Sequence, residues 1–264
     1  MTTSHWNEFH RRWARIKAPL RPNAEIVEAF ETALAGHTSR VLLLGVTQEL
    51  ADLGNELVAV DRSAGMIENV WPGDLARRRA LLGDWLHLEF PKGHFSAVIG
   101  DGSLSTIDYP TGHRALYAQL EHLLKPGGRF IVRTFATPEQ SDTVAAVADR
   151  AWAGRIVNFH AFKWHLAMAI VSESGEANIA VTAIRDTFNR TFADRKALAA
   201  ATGWAMEDID TIDVYAGSPD VYSFATLTQL RAVVPKSFDR VEVVPAGSYP
   251  LAERCPFLVM ELGA

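Results

Sequence analysis

The sequence predicts an α/β protein built on a doubly wound, mostly parallel sheet, and three observations carry that expectation. Short apolar runs recur at Arg40–Leu44, Leu57–Val60, Phe95–Ile99 and Phe130–Phe135. Helical stretches such as Ala64–Val70 and Thr111–Leu124 fall between some of them, and strands that alternate with helices form parallel sheets covered on both faces. LKPGG at 124–128 stops a helix, because Pro126 cannot continue it and Gly127–Gly128 turn the chain into the next strand.

Taken in order, the chain opens on Trp6, Phe9, Trp13, Ile16 and Leu20 at helical spacing, with Arg11, Arg12, Arg15 and Lys17 mostly around the other sides. That describes an amphipathic helix ending near Pro19. A second helix, Ala24–Ala35, closes at Gly36, so residues 1–36 read as a helical cap and 37–137 as the core. After Phe135 the rhythm breaks. Residues 138–235 are mainly helical, including Asp142–Trp152, Phe159–Val171 and Arg195–Ala201, a stretch longer than an ordinary crossover and therefore an insert over the carboxyl edge of the sheet. Residues 236–264 then supply two strands, Arg240–Val244 and Phe257–Leu262, joined by a Gly/Pro-bearing turn as an antiparallel pair at the sheet edge. All 264 residues are expected to form one domain.

The bulk properties narrow the function. A formal net charge of -5 gives no general attraction to nucleic acid or anionic membrane, so the basic face of the first helix reads as solvated. Cys255 is the only cysteine, which excludes an internal disulfide and a cysteine metal cluster and fits a reducing cytoplasm. No apolar run approaches a membrane span, and the first residues lack the apolar core of a signal peptide. His160 and His165 are five residues apart, off the spacing that pairs metal ligands on one helical face, and no metal is expected. His94 precedes its strand, at the end of the sheet opposite the ligand-binding loops.

In such a sheet, ligands bind beyond the carboxyl ends of the strands. VLLL runs into Gly45-Val46-Thr47, where the absent side chain of Gly45 leaves room for a ligand. Asp61 closes the second apolar run and is placed to accept hydrogen bonds from the two hydroxyls of a ribose. The glycines that a pyrophosphate requires are missing, which disfavours a nicotinamide dinucleotide. In GDWLHLEF, Asp84 can accept from an adenine amine while Trp85 lies along the ring; Gly100-Asp101-Gly102-Ser103 ends the next strand.

VLLLG at 41–45, VAVDRSAGMI at 58–67, GDW at 83–85, SAVIGDGSL at 96–104 and LKPGGRFIV at 124–132 together resemble a class I S-adenosylmethionine-dependent methyltransferase. The resemblance implies a Rossmann-like sheet of seven strands with an antiparallel edge strand. It further implies that Gly45, Val46 and Thr47 line the methionine portion of S-adenosylmethionine, that Asp61 holds the ribose, and that Arg62 and Met66 lie by the adenine. Asp84 and Trp85 would bracket the base, and Asp101, Gly102 and Ser103 would face the sulfonium. Because this ligand carries no phosphate, the turn need not be glycine throughout. The chain departs from the family at Leu43, where an acid is usual, and at Thr47 and Glu49, where glycines are usual.

The expected reaction is methyl transfer to an oxygen, nitrogen or carbon of a small molecule, leaving S-adenosylhomocysteine, with Asp101 or His160 as candidate base. Phe159, Phe162, Trp164, Phe188, Trp204, Tyr215 and Tyr222 of the insert point to a partly apolar acceptor, and Arg133 and Thr134, leaving the fifth strand, are further candidates for its pocket. The competing expectation, resting on Leu43, is a non-catalytic or regulatory S-adenosylmethionine binder.

Overall fold

The computed structural model describes residues 4–6 and 10–263. After helix α1 (Ala24–Leu34), strand β1 (Val41–Leu44) leads through β2 (Leu57–Asp61), α2 (Ala64–Val70), β3 (Arg78–Leu82), β4 (Phe95–Asp101), α3 (Thr111–Leu123) and β5 (Leu124–Arg133). The insert follows as α4 (Val144–Trp152), α5 (Phe159–Ser174), β6 (Asn178–Ala180), α6 (Val181–Thr191), α7 (Arg195–Thr202), α8 (Met206–Ile209), β7 (Val221–Ser223) and α9 (Leu227–Ala232). The chain closes with β8 (Phe238–Val244) and β9 (Phe257–Leu262).

Seven strands form one sheet in the order β3-β2-β1-β4-β5-β9-β8. The first five are mutually parallel, and β9 runs antiparallel between β5 and β8. The order reverses beside β1, which lies between β2 and β4 and thereby opens a crevice at its carboxyl end. Successive side chains of β1 serve opposite cores: Val41 and Leu43 join α1 and α2 on one face, while Leu42 and Leu44 join Leu116, Tyr117 and Leu120 of α3 on the other. Strand residues buried on both sides account for the unbroken apolar runs of the sequence.

Caps fix the helices at the crevice. Ser63 accepts from the Met66 amide to start α2 directly after Asp61, and Asn158 accepts from the Ala161 amide to start α5. Helix α5 is buried nearly all round, so it carries no clean polar face.

Three elements differ from the sequence expectation. Trp6, Phe9, Trp13, Ile16 and Leu20 predict one helix, but of the described residues Trp6 is α-helical, His10–Arg15 form a 3₁₀ helix, and Ile16 and Leu20 lie beyond it; Phe9 lies outside the described residues. The following segment is held by tertiary bonds, including one from the Arg133 guanidinium to the Pro19 carbonyl. Strand β3 carries Arg78 and Arg79 at the sheet edge and so shows no apolar run, and the pair β6–β7 is only three residues a side. No helix among the described residues is long and apolar enough to cross a membrane.

Phe30 in α1 is fully buried edge-on against Phe257 of β9, linking the helical layer to the antiparallel strand. Truncation at such a site removes apolar contact and leaves a cavity. Phe30→Ala is expected to lower unfolding stability by about 3–5 kcal/mol, read from the midpoint of denaturant unfolding.

Candidate active site

The site is built from the ends of adjacent strands. Gly45 leaves β1 with φ +99 and bonds its amide to the Val60 carbonyl at 2.8 Å. A Cβ there would lie 3.8 Å from Cζ2 of Trp85 and 3.9 Å from Oδ2 of Asp61. Glycine is therefore required by the backbone rather than by crowding, and its bare face borders both residues.

Asp61 ends β2. Its Oδ1 accepts from the Ser63 amide at 2.8 Å, and burial pushes its carboxyl up to about 6 against the weaker pull of that bond and of the Arg62 charge. Trp85 is fixed by donating Nε1–H to the Val60 carbonyl at 2.6 Å. Asp84 is largely exposed, accepting from the Leu86 amide and facing His87 at 3.3 Å.

At the end of β4 the chain turns left-handed at Gly102, φ +68, where a Cβ would meet the Phe135 ring at 2.7 Å. Asp101 is clamped by Arg133: Nε reaches Oδ1 at 2.5 Å and Nη2 reaches Oδ2 at 3.0 Å. The guanidinium is wholly buried and also donates to the Pro19 carbonyl and to Oη of Tyr249. Burial alone would lower its affinity for its proton, but the Asp101 carboxylate more than offsets this and keeps it charged. Asp101 is thus an ion-pair partner with both oxygens engaged, not an idle base.

One cavity gathers these groups. Its lining includes Gly45, Val46, Thr47, Asp61, Arg62, Met66, Asp84, Trp85, Asp101, Gly102 and Ser103, the full set expected to touch the cofactor. Trp6, Trp13 and Leu20 enter from the N-terminal segment, and Phe135, Trp164 and Tyr222 form a wall from β5 onward. The hydroxyls of Ser103 and Ser105 are buried against this cavity without a hydrogen-bond partner among the described residues, which fits a ligand that brings polar atoms of its own.

Other expected residues lie elsewhere. His160 is outside this cavity: its Nε2–H donates to the Arg15 carbonyl at 3.2 Å, and burial pushes its value down to about 4. Arg133 and Thr134 are buried behind the lining rather than in it. Leu43 packs in the core, and Glu49 pairs with Arg21 at 2.5 Å while its Oε2 is buried without a hydrogen-bond partner among the described residues. Ser105, which also lines the cavity, was not singled out by spacing or motif, and Trp6 was read only as part of the N-terminal apolar face. Among the described residues no group of three or more His, Cys, Asp or Glu could hold a metal ion.

Residues 45–132 match the family model described as a methyltransferase domain. This core is a class I methyltransferase domain. A demethylmenaquinone methyltransferase of Mycolicibacterium gilvum is 32% identical over 134 residues, 50% of this chain and 51% of that protein. A counterpart from Mycolicibacterium vanbaalenii is 31% identical over the same length. The chain thus spans about half the length of the curated relatives it matches. Among solved structures, the N-methyltransferase NodS of Bradyrhizobium japonicum in complex with S-adenosyl-l-homocysteine aligns with TM-score 0.55 and 12% identity, covering 99% of this chain and 100% of that one. A Rhodobacter sphaeroides chain named for Zn-dependent alcohol dehydrogenases aligns with TM-score 0.59 and 14% identity over the whole of both chains. At such identities the likeness is one of fold, and the methyltransferase domain is distinguished by its sequence match.

The ion pair inside the methyltransferase domain has a measurable weight. Asp101→Asn leaves the Arg133 charge buried without its counter-ion and is expected to cost about 3–5 kcal/mol of stability in chemical unfolding.

Proposed function

We propose that the protein transfers the methyl group of S-adenosylmethionine to a small, partly apolar acceptor. The observation that carries this reading is the convergence of the Asp61 carboxylate, the bare face of Gly45 and the fixed Trp85 ring on one cavity whose opposite wall is aromatic. Asp61 would take the ribose hydroxyls, Arg62, Met66, Asp84 and Trp85 would surround the adenine, and Gly45, Val46 and Thr47 would lie along the amino-acid portion. Gly102, Ser103 and Asp101 would border the sulfonium side. When bound, the sulfonium supplies an already activated methyl group.

The residues of the chain then need chiefly to orient the acceptor and exclude water. Phe135 and Trp164, whose ring centres lie 5.4 Å apart in an edge-to-face arrangement, offer an apolar wall for it. The demethylmenaquinone methyltransferases matched above support an aromatic, quinol-like acceptor. The net charge of -5 argues against a nucleic-acid acceptor, and the lone buried Cys255 accords with a cytoplasmic setting. The division into an N-terminal cap, a cofactor core and an insert that shapes the acceptor side belongs to the same reading.

A second reading, binding without transfer, rests on Leu43, which puts an apolar side chain where the family uses an acid. Calorimetric titration with S-adenosylmethionine, S-adenosylhomocysteine and NAD, accompanied by transfer of labelled methyl to a pool of metabolites, separates the two. Binding of the first two ligands with labelled product supports the proposal. Binding without product on any acceptor favours the second reading, and preference for NAD defeats both.

Two expectations concern Asp61. Asp61→Ala removes hydrogen bonds to a charged acceptor and should weaken S-adenosylhomocysteine binding about 10- to 100-fold in the same calorimeter. The carboxyl is raised in the free protein, so it is largely protonated below about pH 6. Ribose hydroxyls favour the ionised form, and affinity is therefore expected to rise with pH through that value. It should be about tenfold weaker near pH 5 than near pH 7.5, and that slope should vanish in Asp61→Asn.

A further inference from the structure

Behind the aromatic wall lies a chain of hydrogen bonds that the cofactor reading does not use. Tyr222 of β7 lines the cavity. Its hydroxyl is 2.7 Å from Nε2 of His5, and Nδ1 of the same ring is 2.7 Å from Oδ2 of Asp220. With the carboxylate as acceptor, Nδ1 carries the proton, Nε2 is the basic nitrogen, and the Tyr222 hydroxyl donates to it. The ring is held at right angles to Tyr215 and Tyr222, and its own backbone amide bonds to Ser218 and Asp220.

The charges around this chain suit a neutral imidazole able to take a proton. Burial lowers the His5 value, although Asp220 opposes it. For Asp220 burial works the other way, but bonds from His5, Ser4 and Ser218 prevail and keep it ionised. Arg62, itself lining the cavity, faces Asp220 at 3.6 Å. From α5, Lys163 lies wholly buried with Nζ 5.0 Å from the Tyr215 ring centre; burial first, and the Arg12 charge after it, lower its value to about 7. Burial likewise raises Tyr222 far above the ordinary tyrosine range, so the residue works as a neutral hydroxyl and not as a standing phenolate.

We propose that Tyr222 is the catalytic residue that takes the acceptor's proton, handing its own to His5 under the positioning of Asp220, and that the acceptor therefore presents an ionisable hydroxyl of the phenol or quinol type. This rests on the methyl-transfer reading above. The acceptor O–H bond breaks as its proton joins the Tyr222 oxygen, and the Tyr222 proton moves to Nε2 of His5. The electron pair freed on the acceptor, at oxygen or at the conjugated ring carbon, forms the bond to the methyl carbon. The pair of the broken carbon–sulfur bond stays on sulfur as a neutral thioether. When carbon is the nucleophile, the ring loses its proton afterwards and the hydroxyl is restored. One proton remains on His5 and leaves to solvent past Asp220, which is partly exposed.

The same bonds also fasten residues 4–6 to the insert, since Ser4 and the His5 amide both bond to Asp220. Tyr222→Phe separates the roles, because it keeps that fastening and removes only the hydroxyl. Full-length wild type, Tyr222→Phe and His5→Gln would be compared by calorimetry with S-adenosylhomocysteine. Labelled methyl transfer to 1-naphthol, catechol and reduced 1,4-naphthoquinone would then be followed from about pH 6 to 9.5. The expected result is unchanged S-adenosylhomocysteine affinity in Tyr222→Phe and a kcat at neutral pH lowered by at least about 100-fold. The residual rate of that variant should climb about tenfold per pH unit as the acceptor ionises by itself, while the wild-type rate is nearly flat, and His5→Gln should show the same climb. A Tyr222→Phe enzyme with wild-type turnover and pH profile overturns the relay alone. So does a loss of turnover matched by an equal loss of cofactor affinity. Wild type that binds the cofactor yet methylates none of the three acceptors overturns the relay together with the phenol-type acceptor, and wild type that binds no cofactor overturns the methyl-transfer reading itself.

Discussion

The Arg133 guanidinium is the point where separate parts of the chain meet. It bonds the end of β4 through Asp101, the N-terminal segment through Pro19, and the connection between β8 and β9 through Tyr249. A fully buried cation is costly unless its donors are matched, and here a bidentate carboxylate, a carbonyl and a hydroxyl receive them. The left-handed turn at Gly102 follows directly from Asp101, and its amide bonds back to the Arg133 carbonyl at 2.8 Å. The floor of the cavity is thus held by charge and not by packing alone.

The electrostatic character of the crevice follows from what each carboxylate touches. Asp101 is committed to a cation, Asp84 to solvent and its own loop, and Asp61 to backbone amides of its own turn, with one oxygen near the bare face of Gly45. Of the three, Asp61 retains capacity to accept from a ligand, and its raised value records the cost of holding that capacity in reserve.

Much of this could be read from the sequence because it is local. The turn after VLLL, the acid after VAV and the glycines around Asp101 each lie within a few residues of the strand that positions them, so strand periodicity and turn chemistry locate Gly45, Asp61 and Asp101; the family resemblance adds positions such as Arg62 and Met66, and all of these line one cavity. Strand β3 was not legible, since an edge strand led by arginines has no apolar signature. Nor was the polar network behind the wall: His5 and Asp220 are 215 positions apart, and no spacing rule links them. His160 looked available by residue type, yet α5 is buried on nearly every side and turns that ring toward a backbone carbonyl. For the same reason the departure at Leu43 has no local remedy. Its side chain belongs to the core under α1, and any partner for an ammonium group must come from another segment.

The two sides of the cavity are encoded in different stretches of the chain. Its floor comes from residues 44 to 107, and the wall facing it from Phe135, Trp164 and Tyr222. Substitutions at Trp164 can therefore accumulate without disturbing the turns that shape the floor, whereas Phe135 is tied to the floor by the turn at Gly102 that packs on its ring. A lineage of such chains is free to exchange what it modifies while keeping how it is supplied, and diversity should gather in α5 before it reaches the loops after β1 and β2.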